Sequence, residues 1–89
     1  GYRDGTYEGS AFGFGDVIQV SVTIQNGKMT DIAVLDASGE DKPYYKQALP
    51  LLDEMLAVQS AEVDIVSGAT LTAEGLIGAV ENALGKAAG

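Results

Sequence analysis

Ile18, Val20, Val22 and Ile24 alternate with Gln19, Ser21 and Thr23 along one stretch of the chain. A period of two sends neighbouring side chains to opposite faces of an extended backbone, so this stretch is predicted to be a strand with one buried face. Asn26-Gly27 follows directly and supplies the positive φ angles of a two-residue type I′ turn. That turn pairs Ile24 with Met29 and Val20 with Ala33, and it brings Leu35 opposite Ile18. In the same register Asp31 faces Val22 on the buried side, so a bulge or an edge is expected there. Gly15-Asp16 offers a second tight turn, which lays Tyr7 to Phe14 antiparallel to Val17 to Ile24. Gly9, Ala11 and Gly13 then sit beside Val22, Val20 and Ile18. This column of small residues either admits a helix closely or leaves a slot for a flat ring.

The spacing changes past residue 41. Lys42 to Leu49 reads as helical, but Pro50 has no amide proton and clashes with the turn before it, so the helix breaks there. Pro50 suits the first position of a new helix, predicted to run to about Gln59 with Leu52, Met55 and Leu56 facing inward. Val63, Ile65 and Val66 read as a short apolar strand. Leu76, Ala79, Val80, Ala83 and Leu84 then recur at helical spacing, within a last helix from about Leu71 to Ala87. The expected architecture is α+β: a small antiparallel sheet with helices packed on one face, in a single domain over residues 1–89.

Composition narrows the chemistry more than the fold. A chain of 89 residues holds one core with little stability to spare. Five basic residues against thirteen acidic ones give a net charge of −8, which repels phosphate backbones and anionic membranes. Nucleic acid and direct membrane insertion are therefore not expected; a redox partner with a basic patch would be attracted. The chain has neither Cys nor His, which removes disulfides, thiol nucleophiles and the commonest acid/base group and metal ligand. Chemistry must come from carboxylates, hydroxyls or a cofactor. There is no signal peptide and no apolar run of membrane length. Because the chain starts at Gly1, it is expected to be a piece of a larger protein whose anchor lies elsewhere.

Between the short apolar strand and the last helix stands Asp64-Ile65-Val66-Ser67-Gly68-Ala69-Thr70. The first amides of a helix have no partner within it and its dipole adds positive charge, so an anion beside Thr70 would be stabilised. Locally, the same residues also satisfy ordinary helix capping. Together with the rest of the chain, this run resembles the FMN-binding domain family, found in parts of membrane-bound NADH:quinone and ferredoxin-linked oxidoreductases and in extracytoplasmic flavin carriers. The family's motif, Asp-x-x-Ser/Thr-Gly-Ala-Thr/Ser, bears FMN as a phosphoester on the final hydroxyl. Asp64, Ser67, Gly68, Ala69 and Thr70 match it without a gap. The opening Tyr2-Arg3-Asp4-Gly5-Thr6-Tyr7-Glu8-Gly9, the hairpin Asn26-Gly27-Lys28 and the approach Gln59-Ser60 with Val63-Asp64 extend the likeness. Two departures stand out: Leu71-Thr72-Ala73 replaces a second Thr and a Ser, and Gly39-Glu40-Asp41 stands where a Glu-Thr pair is expected near the flavin.

The resemblance implies an electron carrier with FMN on Thr70, attached by a separate FAD:protein FMN transferase that uses Mg²⁺ only during transfer. Thr70 cannot activate itself, since a Thr hydroxyl needs a base or a metal at neutral pH. Gly68 and Ala69 are then small so that transferase and phosphate can approach the backbone. Asp64 is either a surface carboxylate or an aid to recognition and transfer. Ser67 either meets the phosphate or caps a turn. Glu40 approaches the flavin by analogy or is a solvated loop charge, and Tyr44 and Tyr45 either stack on the ring or line the core and rim. The resemblance places the domain on the extracytoplasmic face of a bacterial membrane or cell surface, tethered from outside this segment. It implies redox partner proteins and no catalysis by the domain itself. Two other readings remain: a flavin-bearing arm of a larger reductase, and a flavin-free binding module.

Overall fold

The computed structural model describes residues 2–65 and 70–88. Three strands come first, β1 (Gly5–Phe12), β2 (Val17–Gln25) and β3 (Lys28–Asp36), followed by helices α1 (Lys42–Ala48), α2 (Pro50–Val58) and α3 (Thr70–Ala87). The sheet is antiparallel in the order β1-β2-β3, so the alternating strand is central. Its inward residues Ile18, Val20, Val22 and Ile24 are essentially fully buried under Leu76, Ala79, Val80 and Ala83 of α3. Burying one such aliphatic side chain contributes about 1.5–3 kcal/mol, which makes this layer the main source of stability. α2 adds Leu51, Leu52 and Met55 to the same core, and the fold is the expected α+β domain with helices on one sheet face.

The hairpin turn forms as predicted, with φ of 54° at Asn26 and 76° at Gly27. Both turn amides donate to the Asp4 carboxylate, Asn26 at 3.1 Å and Gly27 at 3.0 Å. Ile24 opposes Met29, but two bulges change the register beyond it. The first skips Thr30, which turns Asp31 to the outer face opposite Thr23 and brings Ile32 opposite Val22. The expected conflict at Asp31 is thereby resolved one residue earlier. Val20 meets Val34 rather than Ala33, and a second bulge skips Leu35, which is half exposed instead of opposing Ile18.

β1 also lies two residues from its expected register: Gly9 pairs with Val20 and Ala11 with Ile18. The connection is a four-residue loop, Gly13 to Asp16, closed by a bond of 2.9 Å from the Gly13 amide to the Asp16 carbonyl. A shift of two preserves the facing of every side chain, so the small residues still point to the core. Their role there is close packing. A Cβ on Gly9 would run into the Ala79 carbonyl and the Ala83 amide of α3.

Pro50 divides the middle helices as expected; α1 ends through Leu49, whose amide bonds the Tyr45 carbonyl at 3.1 Å. α2 ends at Gln59 in the left-handed conformation, with φ 57°. The Gln59 side chain pairs with both main-chain groups of Met29, accepting from its amide and donating to its carbonyl at 2.8 Å each. An amide side chain thus stands in for a neighbouring strand on the open edge of β3. The short strand predicted at 63–66 is not formed at Val63 to Ile65; Val66 lies outside the described residues. Val63 packs partly on the core instead, and the main chain of Met29 on the β3 edge is taken by the Gln59 side chain.

Candidate functional site

Thr70 is the first residue of α3 and is exposed. Ser67, Gly68 and Ala69, predicted to lead into it, lie outside the described residues. Asp64 is exposed in the irregular segment that approaches them. An 18-residue helix presents its unpaired first amides and positive dipole end at this point. The inward face of the helix starts at once, with Thr72, Ala73, Gly75 and Leu76 all buried.

The β1–β2 loop closes over this first turn. A Cβ on Gly75 would lie 2.7 Å from the Gly13 Cα, so helix and loop meet backbone to backbone. From the other side the loop meets Glu40, which comes from the connection between β3 and α1. Glu40 is not the solvated loop charge considered above, for it is only 8% exposed. Its Oε1 accepts from the Phe14 amide at 2.8 Å and its Oε2 from the Gly15 amide at 3.0 Å. Burial pushes this carboxyl up, but the amides of Gly15, Phe14 and Asp16 and the Thr72 hydroxyl together hold it below its ordinary value. It is an anion at neutral pH. Thr72 Oγ1 lies close enough to favour that charge, yet it completes no hydrogen bond of its own although it is fully buried.

Three aromatic residues stand open around this end. Phe12 is 77% exposed, Phe14 56% and Tyr44 42%. The Phe14 and Tyr44 rings meet edge to face, with centroids 6.4 Å apart and planes at 65°. Tyr45 is half-buried and lines a hollow of about 280 Å³ together with Glu40, Val34, Leu35, Ser38 and Lys42. Of the two tyrosines, only Tyr44 belongs to the open aromatic group.

The structure therefore gathers Thr70, Glu40 and Tyr44 at one end of the domain and leaves Asp64 on the approach. Phe14 and Thr72 belong to the same end and were not singled out from the sequence. A signal existed for each: Phe14 is an aromatic residue between two glycines, and Thr72 is a hydroxyl four residues before the core Leu76. Among the described residues no three potential ligands group to hold a metal ion. No helix among them is long and apolar enough to cross a membrane.

These features fit a phosphate-bearing aromatic cofactor: an exposed hydroxyl at a helix start and open aromatic rings at the same end of the domain. A family model for the FMN-binding domain matches residues 13–85. A Treponema pallidum (strain Nichols) protein, described only as uncharacterized, is 39% identical over 83 residues. That match covers 92% of this chain and 23% of the relative, so the chain spans about a quarter of that protein's length.

Proposed function

Because the chain belongs to the FMN-binding domain family, we propose that this flavin-binding module is an electron carrier holding FMN covalently as a phosphoester on Thr70. The observation that carries this reading is the position of Thr70. The matched motif ends on a hydroxyl that is exposed at the first residue of a long helix, where the unpaired amides favour the two remaining phosphate oxygens. In attachment, the Thr70 oxygen forms a bond to the phosphorus of the FMN half of FAD, and the pyrophosphate bond breaks with AMP as leaving group. The hydroxyl proton passes to a base of the transferase, and Mg²⁺ serves there, since no His, Lys or Cys lies near Thr70 in the sequence.

Bound FMN supplies one- and two-electron chemistry. The chain supplies placement. Thr70 tethers, the start of α3 neutralises phosphate charge, and Phe14 and Tyr44 give an apolar wall. No His or Cys is available to handle substrate protons, which favours relay between proteins over turnover of a metabolite. The charge of −8 favours a partner with a cationic rim, and exposed charges make that attraction salt-sensitive. An extracytoplasmic setting, with the tether outside this segment, accords with the resemblance. The second reading, a flavin-bearing arm of a larger reductase, is favoured by one fact: the Treponema relative is about four times longer than the match.

Co-expression with an FAD:protein FMN transferase and Mg²⁺ should add the mass of one FMN less one water. Thr70→Val should stay folded and lose that mass, since Thr70 is exposed and Val keeps its shape. An adduct that persists on this variant refutes the assignment. Reduction of a metabolite by the isolated flavinylated chain, given only an electron donor, would replace the carrier with an enzyme.

A further inference from the structure

The Glu40 carboxylate occupies an unusual place for an acidic side chain. It is buried, and no cation is needed to hold it there: consecutive amides of the β1–β2 loop, from Phe14 and Gly15, converge on its two oxygens. Such a run of amides is a nest for an anion. Here the chain fills its own nest. The loop and the segment leading to Glu40 fit tightly, since a Cβ on Gly15 would strike the Gly39 carbonyl and one on Gly39 would strike Asp16. The residue beyond the nest on one side is Thr72, in the first turn of α3; on the other it is Phe14, whose ring packs on Tyr44.

We propose that Glu40 is a positioning residue for the flavin: by clamping the Phe14 and Gly15 amides it fixes the Phe14–Tyr44 pair as a wall beside the helix that starts at Thr70. This rests on the reading of Thr70 as the attachment point. Glu40 acts through the loop and its aromatic residue. Both of its oxygens already accept from loop amides, so the carboxylate is engaged with the loop rather than with the ring. A neutral amide cannot replace it, because Gln has one acceptor oxygen and would turn its NH₂ group toward one of the two N–H donors.

The test uses the full chain flavinylated by co-expression with the transferase, as wild type, Glu40→Gln, Phe14→Leu and the double variant. Intact mass should show one adduct on each, because Thr70 keeps its place at the start of α3. Each single substitution should raise flavin fluorescence severalfold and reduce the circular dichroism of the visible flavin bands, as a wall that quenches and orients the ring is lost. The double variant should show no further change, because both substitutions remove the same wall. Fully loaded Glu40→Gln with wild-type fluorescence and dichroism overturns the proposal; so do additive effects in the double variant, or a Phe14→Leu chain with wild-type spectra. If Glu40→Gln fails to fold, Glu40→Asp keeps the charge but not the reach, and wild-type spectra from that folded variant count against the clamp in the same way. A wild-type chain that takes no flavin defeats the carrier reading itself, an outcome visible in the mass alone and distinct from any optical result.

Discussion

Glycine at position 9 can be judged against glycine at position 85, because the two meet opposite surroundings. A Cβ added at Gly9 would collide with the Ala79 carbonyl and the Ala83 amide and would stand 2.9 Å from the Ala83 Cβ. Two of these three atoms belong to helix backbone, so no flexible side chain can move aside, and β1 and α3 must separate. Overpacking of this kind costs about 1–3 kcal/mol, with the upper end fitting a backbone collision. Replacing Gly by Ala within a strand returns about 0.5–1 kcal/mol of backbone entropy. The net loss for Gly9→Ala is about 2 kcal/mol, which lowers the melting temperature by roughly 8–16 °C in a domain of this size. At Gly85 in α3 a Cβ would meet nothing within 4 Å, and the position is exposed. Gly85→Ala should therefore stabilise by about 0.8–1 kcal/mol through helix propensity. Urea unfolding followed by far-UV dichroism reads both, with unchanged slopes as the check that midpoints report stability. Equal and favourable shifts for the two variants would refute the close contact between β1 and α3.

Gln59→Ala removes the side-chain pairing to Met29 and should cost about 1–2 kcal/mol, with faster exchange of the Met29 amide proton; unchanged protection of that amide would show that the edge is held otherwise. Gln59→Gly relieves the left-handed backbone at φ 57° and should lose less than Gln59→Ala. Glu40 is held below its ordinary value of 4.5, so the unfolded chain binds its proton more tightly than the folded one. Its contribution is then complete above that value and is lost as pH falls through the lower folded value, and Glu40→Gln should flatten this acid limb of the stability profile. Asp36 adds to the same limb, held low by the Ser38 amide and then its hydroxyl, so some slope should survive; an acid limb unchanged in Glu40→Gln would argue against the buried anion. Ala69→Leu should slow flavinylation without unfolding the chain, and modification at the wild-type rate would dismiss the need for small residues before Thr70.

The fold was legible where one physical signal dominated. The alternation in β2, the positive φ demanded by Asn26-Gly27 and the missing amide of Pro50 each admit one local outcome, and each was met. Register was less legible, because it is set by competition between distant groups. Turning Asp31 to solvent and keeping Ile32 and Val34 inside required bulges at Thr30 and Leu35, and sequence located the conflict without showing which residue would be skipped. On β1 the glycines at 13 and 15 permitted several turns, and the structure uses a longer one that leaves Gly13 free to meet Gly75. The apolar run ending at Val66 looked like a strand because three apolar residues carry no period long enough to show how they will pack.

At the candidate site, the motif pointed to Thr70 as the proposed attachment point, whereas the burial of Glu40 was invisible in a stretch of Gly, Glu and Asp. A carboxylate in such a loop reads as solvated unless the amides that receive it are known, and those belong to residues 25 and 26 positions earlier. The same logic explains why the two ends of the sheet are built differently. At the hairpin end Asp4 caps an exposed turn, which needs only to close the sheet. At the other end Glu40 caps a loop that is pressed on the start of α3, and α3 meets β1 through backbone at Gly9 and that loop through backbone at Gly13. With no long side chain between them to change rotamer, the helix cannot slide on the sheet without losing packing along its buried face. Thr70 thus starts a helix whose buried face is locked onto the sheet, and the loop that carries Phe14 is pressed against the same helix. For the carrier proposed above, such fixed presentation would leave less ordering to be done at each encounter with a partner.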